Sequence, residues 1–198
     1  MARIIPVAID GAGGPSFTQG STGGDADAVQ TDLAGIFGHR PEHAAATAAL
    51  YDTIQRHGTL SERLRELVRL RVAFHNQCRT CMAMRYSDEV TDDGLVCSLE
   101  QPAEAPDLTE AERAALHFAD LFATAHLKID DEAYDALRTH HTESELVELG
   151  ILCAYSVGFG RLAATWHVVD HLPESFRIVG VAAGAITPWG HTKTISAS

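Results

Sequence analysis

The chain lacks the excess of basic residues that nucleic-acid binding requires. Its 15 Lys and Arg residues stand against 27 Asp and Glu, which gives a formal net charge of -12. Proteins that bind phosphate backbones or anionic lipid surfaces do so with clustered Lys and Arg. The composition therefore argues against nucleic acids and membrane surfaces as partners.

Long apolar runs and secretory features are also missing from the sequence. No run approaches the roughly 20 apolar residues that span a bilayer. Residues 1–6 carry no basic region followed by a long apolar stretch and a cleavage site, so we expect no secretory signal. Four cysteines among 198 residues do not make a disulfide framework. We therefore predict a cytoplasmic protein.

Strand signals are scarce, and helix signals dominate. Only residues 176–182 form an apolar run that suits a strand. Three Thr-x-x-Glu segments precede apolar-periodic runs, and such segments form capping boxes in which Thr and Glu satisfy each other's backbone N–H groups. These segments are Thr59–Glu62, Thr109–Glu112 and Thr142–Glu145. The sequence therefore predicts an all-α fold.

Composition divides the chain into three parts. Residues 1–28 are predicted to be a flexible glycine-rich arm, residues 29–172 a single helical domain, and residues 173–198 an extended tail. The predicted helices over residues 60–76 and 145–169 are apolar on more than one face, whereas a surface helix needs one apolar face. This excess of apolar surface predicts a homo-oligomer.

A cysteine pair is the main candidate for chemistry. Cys78 and Cys81 are three residues apart, so both sulfurs lie on one face of a helix predicted to begin near Cys78. Free N–H groups and the helix dipole stabilise a thiolate at such a position and lower its pKa. A thiolate can attack a peroxide or a disulfide, and the second cysteine can resolve the product. The spacing therefore favours redox chemistry.

Two other interpretations of the pair stay open. Structural zinc needs about four ligands, and the nearest additions here are His75 and Cys97, without a second ligand pair. The two cysteines could also be buried and inert. Cys97 and Cys153 each stand alone in an apolar context, and we predict that both are core residues.

Glu66 is the candidate base. It lies twelve residues before Cys78, and it would face the cysteine helix if the chain turns back at residues 76–77. Its neighbours are apolar, and a buried carboxylate needs a partner or a raised pKa. The alternative is a surface charge paired with Arg63 or Arg69.

Residues 61–73, followed by residues 76–81, resemble the carboxymuconolactone decarboxylase and alkylhydroperoxidase-D (AhpD-like) superfamily. The likeness covers roughly residues 30–170 and centres on Glu66, Cys78 and Cys81. It implies an AhpD-like helical bundle that assembles as a trimer or hexamer. It also implies a proton relay of one glutamate, two cysteines and two histidines, in which Cys81 attacks the peroxide and Cys78 resolves the product.

The relay histidines are absent from this sequence. Thr80 stands at one of their positions and Arg85 at the other. Histidine exchanges protons near neutral pH, whereas arginine stays protonated. Arg85 could hold a thiolate at Cys81 or pair with Glu66, so we predict weak peroxidase turnover that Arg85→His would raise. His75 completes the set of residues expected to modulate the site.

The sequence thus predicts a thiol-dependent peroxidase or thiol–disulfide oxidoreductase. Its substrate would be a small peroxide or disulfide and its reductant an external one, with no bound cofactor or metal. Two alternatives stay open. One is a non-enzymatic oligomeric scaffold or binding protein, and the other is a carboxymuconolactone-type decarboxylase, against which the cysteine pair argues.

Overall fold

The computed structural model describes residues 1–8, 25–90, 95–96, 99 and 101–177. Over this part of the chain the secondary structure is helical, without β-strands, as the sequence predicts. The helices are α1 (Ala26–Phe37), α2 (Pro41–Arg56), α3 (Glu62–His75), α4 (Arg79–Ala83), α5 (Glu110–Thr124), α6 (Asp131–Arg138), α7 (Glu143–Trp166) and α8 (Glu174–Arg177). Two 3-10 turns, Asp88–Val90 and His126–Lys128, interrupt the connections. The predicted strand over residues 176–182 lies largely outside the described residues, and its first two residues belong to α8.

Helix α3 is the centre of the molecule. Ten of its 14 residues are buried, and it packs against α5 on one side and α7 on another. This burial explains the apolar residues on more than one face, because neighbours within the same chain cover both faces. The double apolar face of α3 is therefore accounted for without a second subunit.

Two of the three predicted capping boxes are confirmed. In Thr109–Glu112 and in Thr142–Glu145, the threonine hydroxyl accepts the N–H of the glutamate, and the carboxylate accepts the N–H of the threonine. These pairs lie within one turn, so local sequence suffices to specify them.

The third predicted capping box, Thr59–Glu62, is wrong. The N-cap of α3 is Ser61, whose hydroxyl accepts the N–H of Leu64. Thr59 instead donates its backbone N–H and its hydroxyl to Glu148 on α7, at 2.7 and 3.1 Å. A carboxylate brought in by tertiary packing has replaced the local partner.

Helix α7 has the length and composition that a bilayer-spanning helix requires, although the sequence suggested no such segment. Core helices of water-soluble proteins can meet the same criterion, but only 28% of its most apolar stretch is buried. Leu149, Leu152 and Cys153 face the core, while Val147 and Ile151 are exposed. The expected homo-oligomer would cover this outer face, and it stays a prediction.

The first residues of the chain pack against the helices. Arg3 donates its backbone N–H to the carbonyl of Trp166, and Val7 donates to that of Gly35. A Cβ on Gly35 would lie 2.6 Å from the Cβ of Pro6, so only glycine permits this approach. The arm predicted over residues 1–28 is therefore packed at its start, and α1 already begins at Ala26. Residues 9–24 lie outside the described part.

The predicted tail also begins in ordered structure. Residues 174–177 form α8, and Phe176 is buried in the core. Residues 178–198 lie outside the described residues.

Candidate redox site

The two cysteines of the pair are joined as a disulfide. Asn76 caps α3, and Gln77 adopts a φ of 51°, which turns the chain sharply so that α4 folds back beside α3. Cys78 is the N-cap of α4, and its sulfur accepts the N–H of Cys81 at 3.2 Å. The structure thus brings the two sulfurs together as the spacing predicts.

Helix α4 is shorter than the sequence suggests. It comprises five residues and ends at Ala83, although the sequence after Cys81 keeps a helical pattern through Tyr86. Met84 is extended, and its carbonyl accepts a hydrogen bond from Arg69. The dipole of one turn is small, and the N–H of Cys81 is the polar group that contacts the Cys78 sulfur.

The two cysteines differ in their access to solvent. Cys78 is completely buried, whereas Cys81 is half-buried and lines a cleft. This cleft holds about 820 Å³ of empty space, including the part open to solvent. Its walls are mostly apolar, and they include the rings of Phe37, Tyr51, Tyr86, Tyr155, Phe159 and Trp166. A molecule in the cleft would therefore meet Cys81 before Cys78.

Glu66 is buried, with 3% of its surface exposed. Its two carboxylate oxygens each accept a hydrogen bond from Arg69 at 2.7 Å, and one also accepts the N–H of Tyr86 at 3.1 Å. The burial agrees with the sequence interpretation, but the partner is Arg69 rather than Arg85. Because Arg69 occupies both oxygens, Glu66 does not present a free base to the cysteines.

Arg69 is a residue of the candidate site that the sequence interpretation missed. Besides Glu66, its guanidinium donates to the carbonyls of Cys81 and Met84 at 2.7 and 2.8 Å, and it lies 4.4 Å from the ring centroid of Tyr86. It thus holds the backbone at Cys81 and just after α4. The i, i+3 spacing of Glu66 and Arg69 indicates a pair, but the sequence alternative places that pair at the surface, whereas the structure buries it.

Thr80 and Arg85, the residues at the positions of the relay histidines, both make structural contacts. Arg85 is buried and donates to the carbonyls of Met82 and Met84, and it does not line the cleft. Thr80 lines the cleft, and its hydroxyl donates to the carbonyl of Val168 at 2.7 Å. Arg85 supports the backbone after α4. The structure therefore argues against the prediction that Arg85→His raises peroxide turnover.

His75 lies away from the disulfide. Its Nε2 is 2.6 Å from a carboxylate oxygen of Asp120 on α5, and its side chain does not line the cleft. The described residues contain no group of three potential metal ligands, and because Cys97 lies outside them the zinc alternative is not tested. Cys153 is buried as predicted, and burial raises the pKa of its thiol to about 12.

Asp120 gives the core a pH dependence that can be measured. Burial alone would raise the pKa of its carboxyl, but hydrogen bonds from His75 and Arg71 outweigh this and hold the pKa below its usual value. A lowered pKa in the folded state contributes stability that is complete above the unfolded value of about 3.9 and is lost as the pH falls through the folded value.

We therefore expect Asp120→Asn to reduce the decrease in the free energy of unfolding that occurs as the pH falls. Urea unfolding midpoints measured from pH 5 down to about pH 2 should fall less steeply for Asp120→Asn than for the parent chain. Parallel curves for the two proteins would show that the ion pair does not contribute this dependence.

Comparison with known proteins identifies relatives of this fold. Residues 41–121 match the carboxymuconolactone decarboxylase family. A protein of unknown function from Agrobacterium tumefaciens, ATU0492, described as a candidate AhpD antioxidant defence protein, is 25% identical with a TM-score of 0.63. The match covers 70% of this chain and 96% of that one. A comparison with curated proteins gives no match.

More distant structures share the fold alone. A peroxidase-related protein with an AhpD core from Ralstonia eutropha is 22% identical, with a TM-score of 0.55, over 71% of this chain and 76% of that one. A cysteine-to-alanine variant of the debrominase Bmp8, in complex with 2,3,4-tribromopyrrole, is 20% identical, with a TM-score of 0.61, over 72% and 76%.

Over the part of the chain that the structure describes, the fold and the site define a helical protein with a cysteine pair at an apolar cleft. Residues 41–121 of this chain resemble the carboxymuconolactone decarboxylase family, and its fold is similar to that of AhpD-like proteins. The resemblance noted in the sequence is thereby confirmed.

Proposed function

We propose that the protein is a thiol-dependent peroxidase or thiol–disulfide oxidoreductase in which Cys81 attacks the substrate and Cys78 resolves the product. The observation that supports this assignment is the difference in access between the two sulfurs. Cys81 lines the cleft, and Cys78 lies completely buried behind it within bonding distance. A substrate can reach Cys81 directly. Cys78 then attacks the oxidised sulfur of Cys81 and forms the disulfide.

The reaction balances with the two thiols and an external reductant. The Cys81 thiolate attacks one oxygen of a hydroperoxide, the O–O bond breaks, and the alcohol leaves with a proton. The Cys78 thiol then attacks the sulfur of the resulting sulfenic acid, forms the disulfide and releases water. A dithiol reductant restores both thiols by exchange and is itself oxidised to a disulfide.

Proton transfer is the step that limits turnover at this site. Among the described residues that line the cleft there is no histidine, and Glu66 is held by Arg69. Histidine is the side chain best suited to exchange protons near neutral pH. We therefore propose that turnover is weaker than in members of the superfamily that carry the relay histidines.

Mass spectrometry of the intact protein tests the assignment. The chain is reduced, freed of reductant and treated with one equivalent of cumene hydroperoxide. We expect the loss of two hydrogen atoms, mapped to a Cys78–Cys81 disulfide by peptide analysis. Unchanged mass together with two unreacted thiols would contradict the proposal and favour the scaffold alternative.

The decarboxylase alternative receives less support from the cleft. Its substrate is a carboxylic acid, and Arg69 is the charged side chain among the described cleft residues. All three of its side-chain nitrogens already donate to Glu66 or to backbone carbonyls. An anionic substrate would thus lack a cationic partner, and burying an unpaired charge is costly.

Reductive dehalogenation is a second candidate, favoured by the aromatic lining of the cleft. The debrominase whose fold resembles this chain was solved with a brominated pyrrole. Two thiols and an aryl bromide would give the dehalogenated ring, the disulfide, bromide and a proton. Ion chromatography for bromide, after mixing reduced protein with tribromopyrrole, separates this reaction from peroxide reduction.

Assembly is a further proposal. We propose a homo-oligomer, a trimer or hexamer, that covers the outer face of α7, where Val147, Ile151 and Leu162 are exposed. Apolar surface of this kind marks association sites when it is contiguous. Light scattering of Val147→Glu against the parent chain tests it, with a smaller particle expected for the variant.

A further inference from the structure

We propose that the substrate of this site is an uncharged molecule carrying an aromatic ring next to the reacting bond. This inference deepens the proposed function and rests on it for the reacting atom, Cys81. It is drawn from two properties of the cleft: the arrangement of its rings, and the absence of an available charge among the described residues that line it.

The rings of the cleft provide flat apolar surfaces. Tyr155 stacks on Phe159 with centroids 4.6 Å apart and planes at 29°, and Tyr51 lies 5.6 Å from Tyr155 at 36°. These three rings come from α2 and α7 and follow one another along the cleft wall. An aromatic guest can continue such a series by offset stacking, which adds to the gain from burying apolar area.

A second aromatic pair lies in the same lining. Phe37 of α1 meets Trp166 of α7 edge to face, with centroids 5.1 Å apart and planes at 87°. Both residues line the cleft together with aliphatic side chains such as Leu33 and Ile54. A guest therefore meets apolar surface from three helices.

The charged side chains near the cleft, Arg69 and Glu66, are paired with each other. Arg69 and Glu66 form a doubly hydrogen-bonded pair, and the guanidinium of Arg69 also donates to the carbonyls of Cys81 and Met84. The phenols of Tyr51 and Tyr155 stay protonated at neutral pH, because burial raises the pKa of both. A carboxylate or an ammonium group in a guest would thus lose its hydration without gaining an ionic partner.

The reacting atom is part of the same lining. Cys81 and the aromatic side chains border one cleft, so a ring bound among Tyr51, Tyr155 and Phe159 brings an adjacent peroxide or disulfide bond into the space that Cys81 faces. Aryl-alkyl hydroperoxides and aryl disulfides have this form. Long anionic lipid hydroperoxides and hydrogen peroxide do not.

A binding experiment tests the inference independently of turnover. The Cys78→Ser/Cys81→Ser double variant cannot react, and it is titrated calorimetrically with 2-phenyl-2-propanol and with the analogue that carries a para-carboxylate. We expect the neutral alcohol to bind at least about tenfold more tightly, since an unpaired charge costs more than 1.4 kcal/mol. Equal affinities, or binding of the acid alone, would overturn the inference.

Variants locate the binding within the cleft. In the same background, Tyr155→Ala should weaken binding of the alcohol by about tenfold, whereas Tyr134→Ala should leave it unchanged, because Tyr134 lies on α6 outside the cleft. Gln55→Lys places a cation in the lining. It should reduce the ratio of the affinity for the neutral alcohol to the affinity for the para-carboxylate analogue. Equal effects of Tyr155→Ala and Tyr134→Ala would contradict the site.

A kinetic experiment tests this inference separately from the proposed function. Reduced parent protein is mixed with cumene hydroperoxide or with tert-butyl hydroperoxide, and disulfide formation is followed by stopped flow. Faster oxidation by the aromatic peroxide supports the inference. Equal rates overturn the ring preference but leave the thiol chemistry standing. No oxidation by either peroxide, with selective binding of the alcohol, overturns the peroxidase reaction but not the binding preference.

Discussion

Cys81→Ser is expected to lower the rate of peroxide consumption by at least about a thousandfold, the order of loss that follows removal of a catalytic nucleophile. The physical reason is that Cys81 is the cysteine at the cleft, and a serine hydroxyl does not form the thiolate that attacks peroxide. The measurement is consumption of cumene hydroperoxide with dithiothreitol as reductant, at several peroxide concentrations.

The other cysteines provide matched controls for this result. Cys78→Ser should leave one attack per molecule intact but prevent the disulfide, so a sulfenic acid at Cys81 should be trapped by dimedone. Cys153→Ala should keep parent activity, because the Cys153 thiol is buried and burial raises its pKa to about 12. If Cys78→Ser lost the first attack and Cys81→Ser kept it, the order of the two cysteines would be reversed.

Glu66→Gln is expected to lower the free energy of unfolding by about 3–5 kcal/mol, because it leaves the Arg69 guanidinium buried without its carboxylate. The two side chains are 3% and 9% exposed, so water does not replace the lost partner. Urea unfolding followed by circular dichroism measures the change. The rate of Cys78–Cys81 disulfide formation should fall as well, since Arg69 also holds the carbonyl of Cys81.

Helix α5 offers a matched control for Glu66→Gln. Glu110 and Arg113 form a pair with the same i, i+3 spacing, but Glu110 is 79% exposed. Removing an exposed pair costs at most about 1 kcal/mol, so Glu110→Gln should have a small effect. The double variant Glu66→Gln/Arg69→Met should recover part of the loss, because neither charge is then buried alone. Equal destabilisation by Glu66→Gln and Glu110→Gln would show that burial does not strengthen the Glu66–Arg69 pair.

The sequence predicted the features that depend on residues within one turn of each other. Two Thr-x-x-Glu capping boxes, at the starts of α5 and α7, form as expected. The Cys78–Cys81 pair is of the same kind, since a spacing of three residues brings the sulfurs together whatever surrounds them. The burial of Glu66 was also predicted, because its neighbours along α3 are apolar.

Predictions failed where a distant residue competed with a local one. The capping box at Thr59–Glu62 is replaced by Glu148, which lies 89 residues beyond Thr59 in the chain. Arg85 was a candidate partner of Glu66 because of its place after the cysteines, but α4 ends at Ala83 and Arg69 is already paired with Glu66. Sequence spacing does not reveal which of two nearby arginines reaches a carboxylate.

The sequence by itself thus determined the helical class of the described residues, the starts of α5 and α7, and the cysteine pair, because each of these depends on backbone and side-chain interactions over a few residues. Only the tertiary structure decided which cysteine faces a cleft, which arginine neutralises Glu66, and which aromatic rings line the cleft. Those rings come from α1, α2, α7 and the segment after α4. Their meeting depends on how the helices pack around α3, and packing is a property of the whole chain.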